Sequence, residues 1–321
     1  MQTLLSSTSA YKLLQSERNE NRLNHAYLIL LDDARSLRLA LNVFARVFFG
    51  CEEENQGGRY ARIAELIQKE SFSDCLFFPK KDKKFAVSDV DEIKEESALN
   101  PVEGDKKLFV IGDFAELGVA QQNKLLKLLE EPPESVYFLL GATTSYPILQ
   151  TVLSRTKKLE IPPFSEDEIF SFLLRNYPEK ESERAYLKLY SATANGSVGN
   201  AQNSLEGGYF DELVNDCFSL CLSPKELPTL SKKLGESRRK KELLSLLRLI
   251  FRDALFLKLG KTSHLLLSSE RENLQKVGSR YEVKALLYAQ EALTQAEKQL
   301  KFNTNFSQCL EILFEKISKQ N

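Results

Sequence analysis

The fold is decided by residues 107–156, KLFVIGDFAELGVAQQNKLLKLLEEPPESVYFLLGATTSYPILQTVLSRT. Leu108 to Ile111 is a short apolar run, the pattern of a strand buried on both faces. Asp113 stands where such a strand ends. From Val119 to Glu131 the period becomes helical: Leu125, Leu126, Leu128 and Leu129 share one face, and Lys124, Lys127, Glu130 and Glu131 take the other. Pro132-Pro133 stops the helix, because proline lacks the N–H and restricts the residue before it. Val136 to Leu140 is a second apolar run. Strand, helix and strand in this order predict a right-handed βαβ unit in a parallel sheet.

The run NKLLKLLEEPPE (123–134), followed by FLLGATT and then TVLSRT, closely resembles the bacterial clamp-loader ATPase family. That family includes the gamma/tau and delta-prime subunits of DNA polymerase III. The blocks occur in the family's order and at nearly its spacing. Thr156 departs from it, standing where the family usually has cysteine. An upstream segment, His25-Ala26-Tyr27-Leu28, matches the opening of the family's first strand, and the match runs without gaps into a helix at Leu39 to Phe49.

Between that strand and helix a glycine-rich phosphate loop is expected, and it is missing. Asp32, Asp33, Ala34 and Ser36 stand in it, the lysine position is Leu37, and the magnesium-binding Ser/Thr position is Arg38. A phosphate cradle needs convergent N–H groups in glycine conformations. Two carboxylates repel a polyphosphate, and leucine offers it no charge. The chain is therefore expected not to bind ATP productively, and no cofactor is expected. Two further family motifs are degraded with it. The acidic pair after the second strand reads Gly112-Asp113-Phe114-Ala115, leaving one carboxylate that could equally cap the next turn. The lid motif that sends an arginine to the nucleotide reads Gly196-Ser197-Val198-Gly199-Asn200-Ala201, with Gly199 at the arginine position. Together these losses resemble the family's delta-prime members, which keep the fold without the ATPase.

Ser154-Arg155-Thr156 resembles the family's Ser-Arg-Cys motif. By that resemblance Arg155, with Ser154, would act in trans on a neighbour's nucleotide, its delocalised charge meeting the charge that develops in phosphoryl transfer. The competing reading is an interface or helix-end arginine without catalytic effect. Thr143 and Thr144 align with the family's nucleotide-sensing strand end and, without a nucleotide, read as plain strand-end residues.

Composition bounds the rest. The 321 residues carry 44 basic and 45 acidic side chains, net −1, so average charge gives no support for a nucleic-acid-coating protein. Cysteines at 51, 75, 217, 221 and 309 form no motif and suggest reduced thiols in the cytosol. Cys217 and Cys221 suit one apolar helix face better than a metal. Only Cys51 lies near the place where many relatives carry a four-cysteine zinc module, so no metal site is expected. No signal peptide and no membrane span is read. Ser73 to Pro79 is a candidate strand, Lys80, Lys81, Lys83 and Lys84 form a basic loop read as a solvated turn, and Val87 to Ala98 reads as a helix with Ser88 and Asp89 as candidate caps.

After the last strand, Ser165 with Glu166, Asp167 and Glu168 signals a helix start. Helical patterns follow over 166–176, 181–194 and 198–206, with Gly207-Gly208 as a hinge, then over 210–221, 224–234, 240–259 and 281–300. The end, LKFNTNFSQCLEILFEKI, resembles a family signature in which Asn303 and Asn305 suit a sharp turn. The expected fold is α/β plus all-α: a degenerate AAA+ domain (1–161), a helical lid (162–207) and a helical collar (208–321). The resemblance implies a non-hydrolysing stator that assembles with gamma/tau and delta subunits and meets sliding clamp and primed DNA through the complex, in the cytoplasm and away from membranes. The chain would catalyse nothing itself, although holoenzyme membership would file it with DNA-directed DNA polymerase. The alternatives are an ATP-hydrolysing gamma/tau-type subunit, argued against by the missing loop, and a non-replicative scaffold or DNA-binding protein, argued against by Arg155.

Overall fold

Five strands, β1 (Ala26–Leu30), β2 (Cys75–Phe78), β3 (Lys107–Ile111), β4 (Val136–Ala142) and β5 (Lys157–Glu160), form one sheet in the order β2-β3-β4-β1-β5. Every adjacent pair is parallel. This computed structural model describes residues 1–52, 58–237, 239–300 and 304–321. The chain divides into two units, Met1–Phe164 and Ser165–Asn321.

The first unit adds helices α1 (Gln2–Leu5), α2 (Ser9–Asn19), α3 (Ala34–Phe49), α4 (Arg59–Gln68), α5 (Val87–Ser97), α6 (Val119–Glu130) and α7 (Gln150–Leu153). Alternation along the strands sorts the two sheet faces. Leu28, Phe109, Ile111, Phe138 and Leu140 share a core with Val90 and Ile93 of α5, Leu125 and Leu129 of α6 and Val152 of α7. Within it the Phe109 and Phe138 rings stack with centroids 5.5 Å apart. The opposite face receives α3. Gly112 and Gly141 lie under its Leu41, and a Cβ on Gly141 would stand 2.6 Å from Leu41 Cδ1.

The expected βαβ unit is present, with β4 running two residues beyond Leu140 to Ala142. Lys107 is buried within its strand, its ammonium donating to the Glu96 carbonyl at 3.0 Å. Helix α5 is capped differently from the expectation: Asp89 reaches back to accept the Ala86 N–H at 2.7 Å, and Ser88 lies inside the first turn. Lys80 of the basic loop pairs with Glu92 at 3.1 Å and sits over the Phe78 ring, while Lys81, Lys83 and Lys84 are exposed.

The second unit is helical: α8 (Glu166–Asn176), α9 (Arg184–Thr193), α10 (Val198–Glu206), α11 (Phe210–Leu222), α12 (Leu227–Gly235), α13 (Lys240–Lys258), α14 (Arg271–Arg280), α15 (Val283–Leu300) and α16 (Phe306–Ser318). Ser165 and Glu168 close a reciprocal cap on α8, the Ser165 N–H donating to Glu168 Oε2 at 2.8 Å. Asn305 caps α16 through the Gln308 N–H, and Asn303 lies outside the described residues. Helix α14 was invisible to periodicity. Only Leu274, Val277 and Gly278 are buried in it, and its packing rests on the close approach of Gly278 to the Ala254 carbonyl of α13.

Around Gly207-Gly208 the chain is tied down. Ser204 of α10 donates to Glu242 Oε1 of α13 at 2.6 Å, and the Tyr209 hydroxyl lies 3.1 Å from both Glu242 oxygens. Burial raises the Glu242 pKa above its ordinary 4.5, against the opposing bonds from Ser204 and Tyr209 and the nearby charge of Arg239. A carboxyl shifted this way favours the folded state at low pH and loses that contribution as pH rises through the raised value. Glu242→Gln keeps an acceptor and removes the charge. We expect it to raise the thermal midpoint by a few °C, about 1 kcal/mol, at about pH 7.5, with no gain at about pH 4. Thermal melts of both forms at the two pH values check this.

Candidate functional site

The β1–α3 junction is where the resemblance places a phosphate loop. Of the four residues read in place of loop glycines, Ala34 and Ser36 lie in the first turn of α3, and Asp32 and Asp33 precede it. Asp33 caps that turn, its Oδ1 accepting the Ser36 N–H at 2.9 Å, and its side chain is buried. A helix N-terminus attracts an anion through unpaired N–H groups and the helix dipole. Here the chain's own carboxylate occupies that position. Leu37, read at the lysine position, is buried and packs in the core. Arg38 forks onto Glu70, Nε to Oε1 at 2.6 Å, and donates to the Pro79 carbonyl at 3.0 Å. Asp32 is exposed.

The other degraded motifs bond locally. Asp113 accepts the Ala115 N–H at 3.3 Å and the Thr143 hydroxyl at 3.3 Å, so the remaining carboxylate and the strand-end threonine face each other. Burial raises the Asp113 pKa, opposed by these bonds. Thr144 accepts the Tyr146 N–H in a local turn. Gly199 is buried in the first turn of α10, which Ser197 caps through the Asn200 N–H at 3.0 Å.

Arg155 follows α7 and stands before β5. Val152 anchors α7 in the core, while Arg155 stays about one-third exposed. Its Nη1 donates to the Thr151 carbonyl at 2.8 Å and to Ser154 Oγ at 3.2 Å, and its Nη2 pairs with Glu130 Oε1 at 2.7 Å. Thr156, in the family's cysteine position, donates to the Val152 carbonyl at 3.2 Å and so closes the end of α7. A cleft of about 630 Å³ opens between His25, the end of α6 at Glu130-Glu131 and the Ser154–Lys157 segment.

Two residues that support Arg155 escaped the sequence reading. Glu130 was assigned only to the polar face of α6. Gln122 is fully buried, its amide donating to the Leu117 and Pro147 carbonyls and its oxygen accepting the Leu149 N–H at 2.9 Å. It pins the approach to α7 onto α6. A signal for it existed: a polar residue in register with the buried Leu125 and Leu129 of the same helix.

Among the described residues no group of three or more His, Cys, Asp and Glu side chains could hold a metal ion, and no helix is long and apolar enough to cross a membrane. Cys51, Cys75, Cys217 and Cys221 are buried, and burial pushes the Cys51 thiol up to about 12, away from reactive thiolate chemistry.

Residues 6–165 match the family model described as DNA polymerase III, delta subunit. The chain is 22% identical over 315 residues to the DNA polymerase III subunit delta' of Bacillus subtilis, covering 94% of this chain and 93% of that one. It is 28% identical over 151 residues to the delta' subunit of Haemophilus influenzae, 47% of this chain and 46% of the relative. The gamma subunit of Buchnera aphidicola subsp. Schizaphis graminum is 33% identical over 153 residues, 46% of this chain and 41% of that one. The chain thus spans about two fifths of that gamma relative's length. It belongs to the clamp-loader subunit family of bacterial DNA polymerase III, among its delta-prime-like members.

Proposed function

We propose that this chain is a non-hydrolysing, delta-prime-type subunit of a cytoplasmic clamp loader. It assembles with ATP-hydrolysing gamma/tau-type subunits and a delta subunit, and through them meets the sliding clamp and primed DNA. It acts as a stator: the first unit offers Arg155, with Ser154, to a neighbour's nucleotide, and the second unit supplies lid and collar as distinct working parts. The observation that carries this reading is Asp33, whose carboxylate caps α3 where a phosphate would lie. Leu37 and Arg38 support it, one buried and the other committed to Glu70.

Two like charges would have to share one helix N-terminus for a nucleotide to bind, which is unfavourable. Calorimetric titration of the isolated chain with Mg-ATP is expected to give no heat of binding up to millimolar nucleotide. Stoichiometric binding overturns the reading and favours the second one, an ATP-hydrolysing gamma/tau-type subunit, for which the 33% identity to a gamma subunit speaks. A non-replicative scaffold is the outcome if the chain fails to co-assemble with clamp-loader subunits.

A further inference from the structure

We infer that Glu130 is the positioning residue for Arg155, fixing where its guanidinium points before a neighbouring subunit's nucleotide arrives. The inference rests on the reading of Arg155 as a group acting in trans. An arginine side chain is long and loses much rotamer freedom when it is fixed. Here three contacts restrain it: Nη1 to the Thr151 carbonyl at 2.8 Å and to Ser154 Oγ at 3.2 Å, and Nη2 to Glu130 Oε1 at 2.7 Å. Guanidinium has five N–H donors, and these contacts engage three of them. Two donors remain for an incoming phosphate oxygen, beside the cleft that His25 and Lys157 also line.

The position of Glu130 is itself well determined. It is the last residue of α6, whose Leu125 and Leu129 are buried in the core. Pro132-Pro133 then ends the helix just beyond it. Of these three contacts, the Glu130 pair comes from outside the α7 segment and ties the guanidinium to the end of α6.

An acid beside a catalytic arginine could instead be an inhibitory latch. Magnitude decides against this. Glu130 and Arg155 are 44% and 34% exposed, and ion pairs so exposed to water are weak. A polyphosphate carrying several negative charges displaces such a pair with little resistance, so the pair orients the free guanidinium without retaining it. Glu130 therefore sets the resting direction without holding the arginine back.

The test uses the complete assembly, reconstituted from this chain and its ATP-hydrolysing partner subunits, with clamp and primed DNA present. Glu130→Gln is expected to assemble normally on size exclusion and to lower kcat for ATP by roughly three- to tenfold, below the ~10²-fold of full misplacement. KM for ATP stays unchanged, because the lost interaction matters only in the transition state. Glu130→Asp recovers part of the rate, and Glu130→Gln adds nothing in an Arg155→Ala background. If Arg155→Ala lowers kcat and Glu130→Gln does not, this inference fails while the trans-acting arginine stands. A rise in kcat for Glu130→Gln shows a latch and also overturns it. If Arg155→Ala itself changes nothing, the underlying reading fails first.

Discussion

If Arg155 acts in trans as proposed, Arg155→Ala is expected to lower the clamp- and DNA-stimulated ATPase of the reconstituted loader, by roughly 10²-fold at the neighbouring site, and to leave assembly unchanged. The total rate falls by less, because nucleotide sites between other subunits keep their own chemistry. The expected size follows from what is removed: a permanent charge and a planar fork of donors, which the proposed role sets against developing phosphoryl charge. Little else is lost. Arg155 makes one partly exposed ion pair and two local hydrogen bonds, and exposed pairs of this kind contribute ~0.2–1 kcal/mol, so the melting point barely moves. Arg155→Lys does not restore the rate, since an ammonium keeps the charge and loses the fork. Single-turnover ATPase assays beside size-exclusion profiles check all three statements. An unchanged rate reduces Arg155 to a structural residue, and loss of assembly makes it an interface residue.

The largest expected effect on stability lies on the other face of the sheet. Leu41→Ala costs about 2–5 kcal/mol, the range for deleting a buried leucine side chain. Gly141→Ala costs about 1–3 kcal/mol by overpacking, because the new Cβ stands 2.6, 3.0 and 3.1 Å from Leu41 Cδ1, Cδ2 and Cγ. Leu41 is almost wholly buried, so it has no free direction in which to yield. The two changes are not additive. In the double variant the alanine at 141 enters the space left by the leucine, and the combined loss falls below the sum of the two single losses. Urea unfolding of the parent, both single variants and the double variant measures the coupling. Simple additivity would show that α3 does not pack on Gly141 as described.

That contact places α3 close against β4, and it links the sheet to the altered β1–α3 junction. In this chain the junction is held by packing and a cap: Leu37 and Leu41 turn inward, and Asp33 closes the helix end. The family's phosphate-binding residues would have served a ligand at the same place.

Much of this was legible in the sequence for definite reasons. The apolar runs at 108–111 and 136–140 lie in strands buried on both faces, where every residue must be apolar, so the strands announce themselves. Pro132-Pro133 and the Ser165–Glu168 cap act locally, so helix ends could be read from neighbouring residues alone. That residues 32–38 carry no glycine was equally plain. Tertiary structure alone decided the rest. Glu130 meets Arg155 across 25 positions of sequence, and Gln122 holds the Pro147–Leu149 turn across a similar separation. Glu242 reaches Ser204 across 38 positions. Helix α14 exists because α13 gives its few buried residues a surface to pack on. For Glu130, Gln122 and Glu242 the residue's type is ordinary for an exposed helix position, and its role comes from a partner that only folding brings within reach.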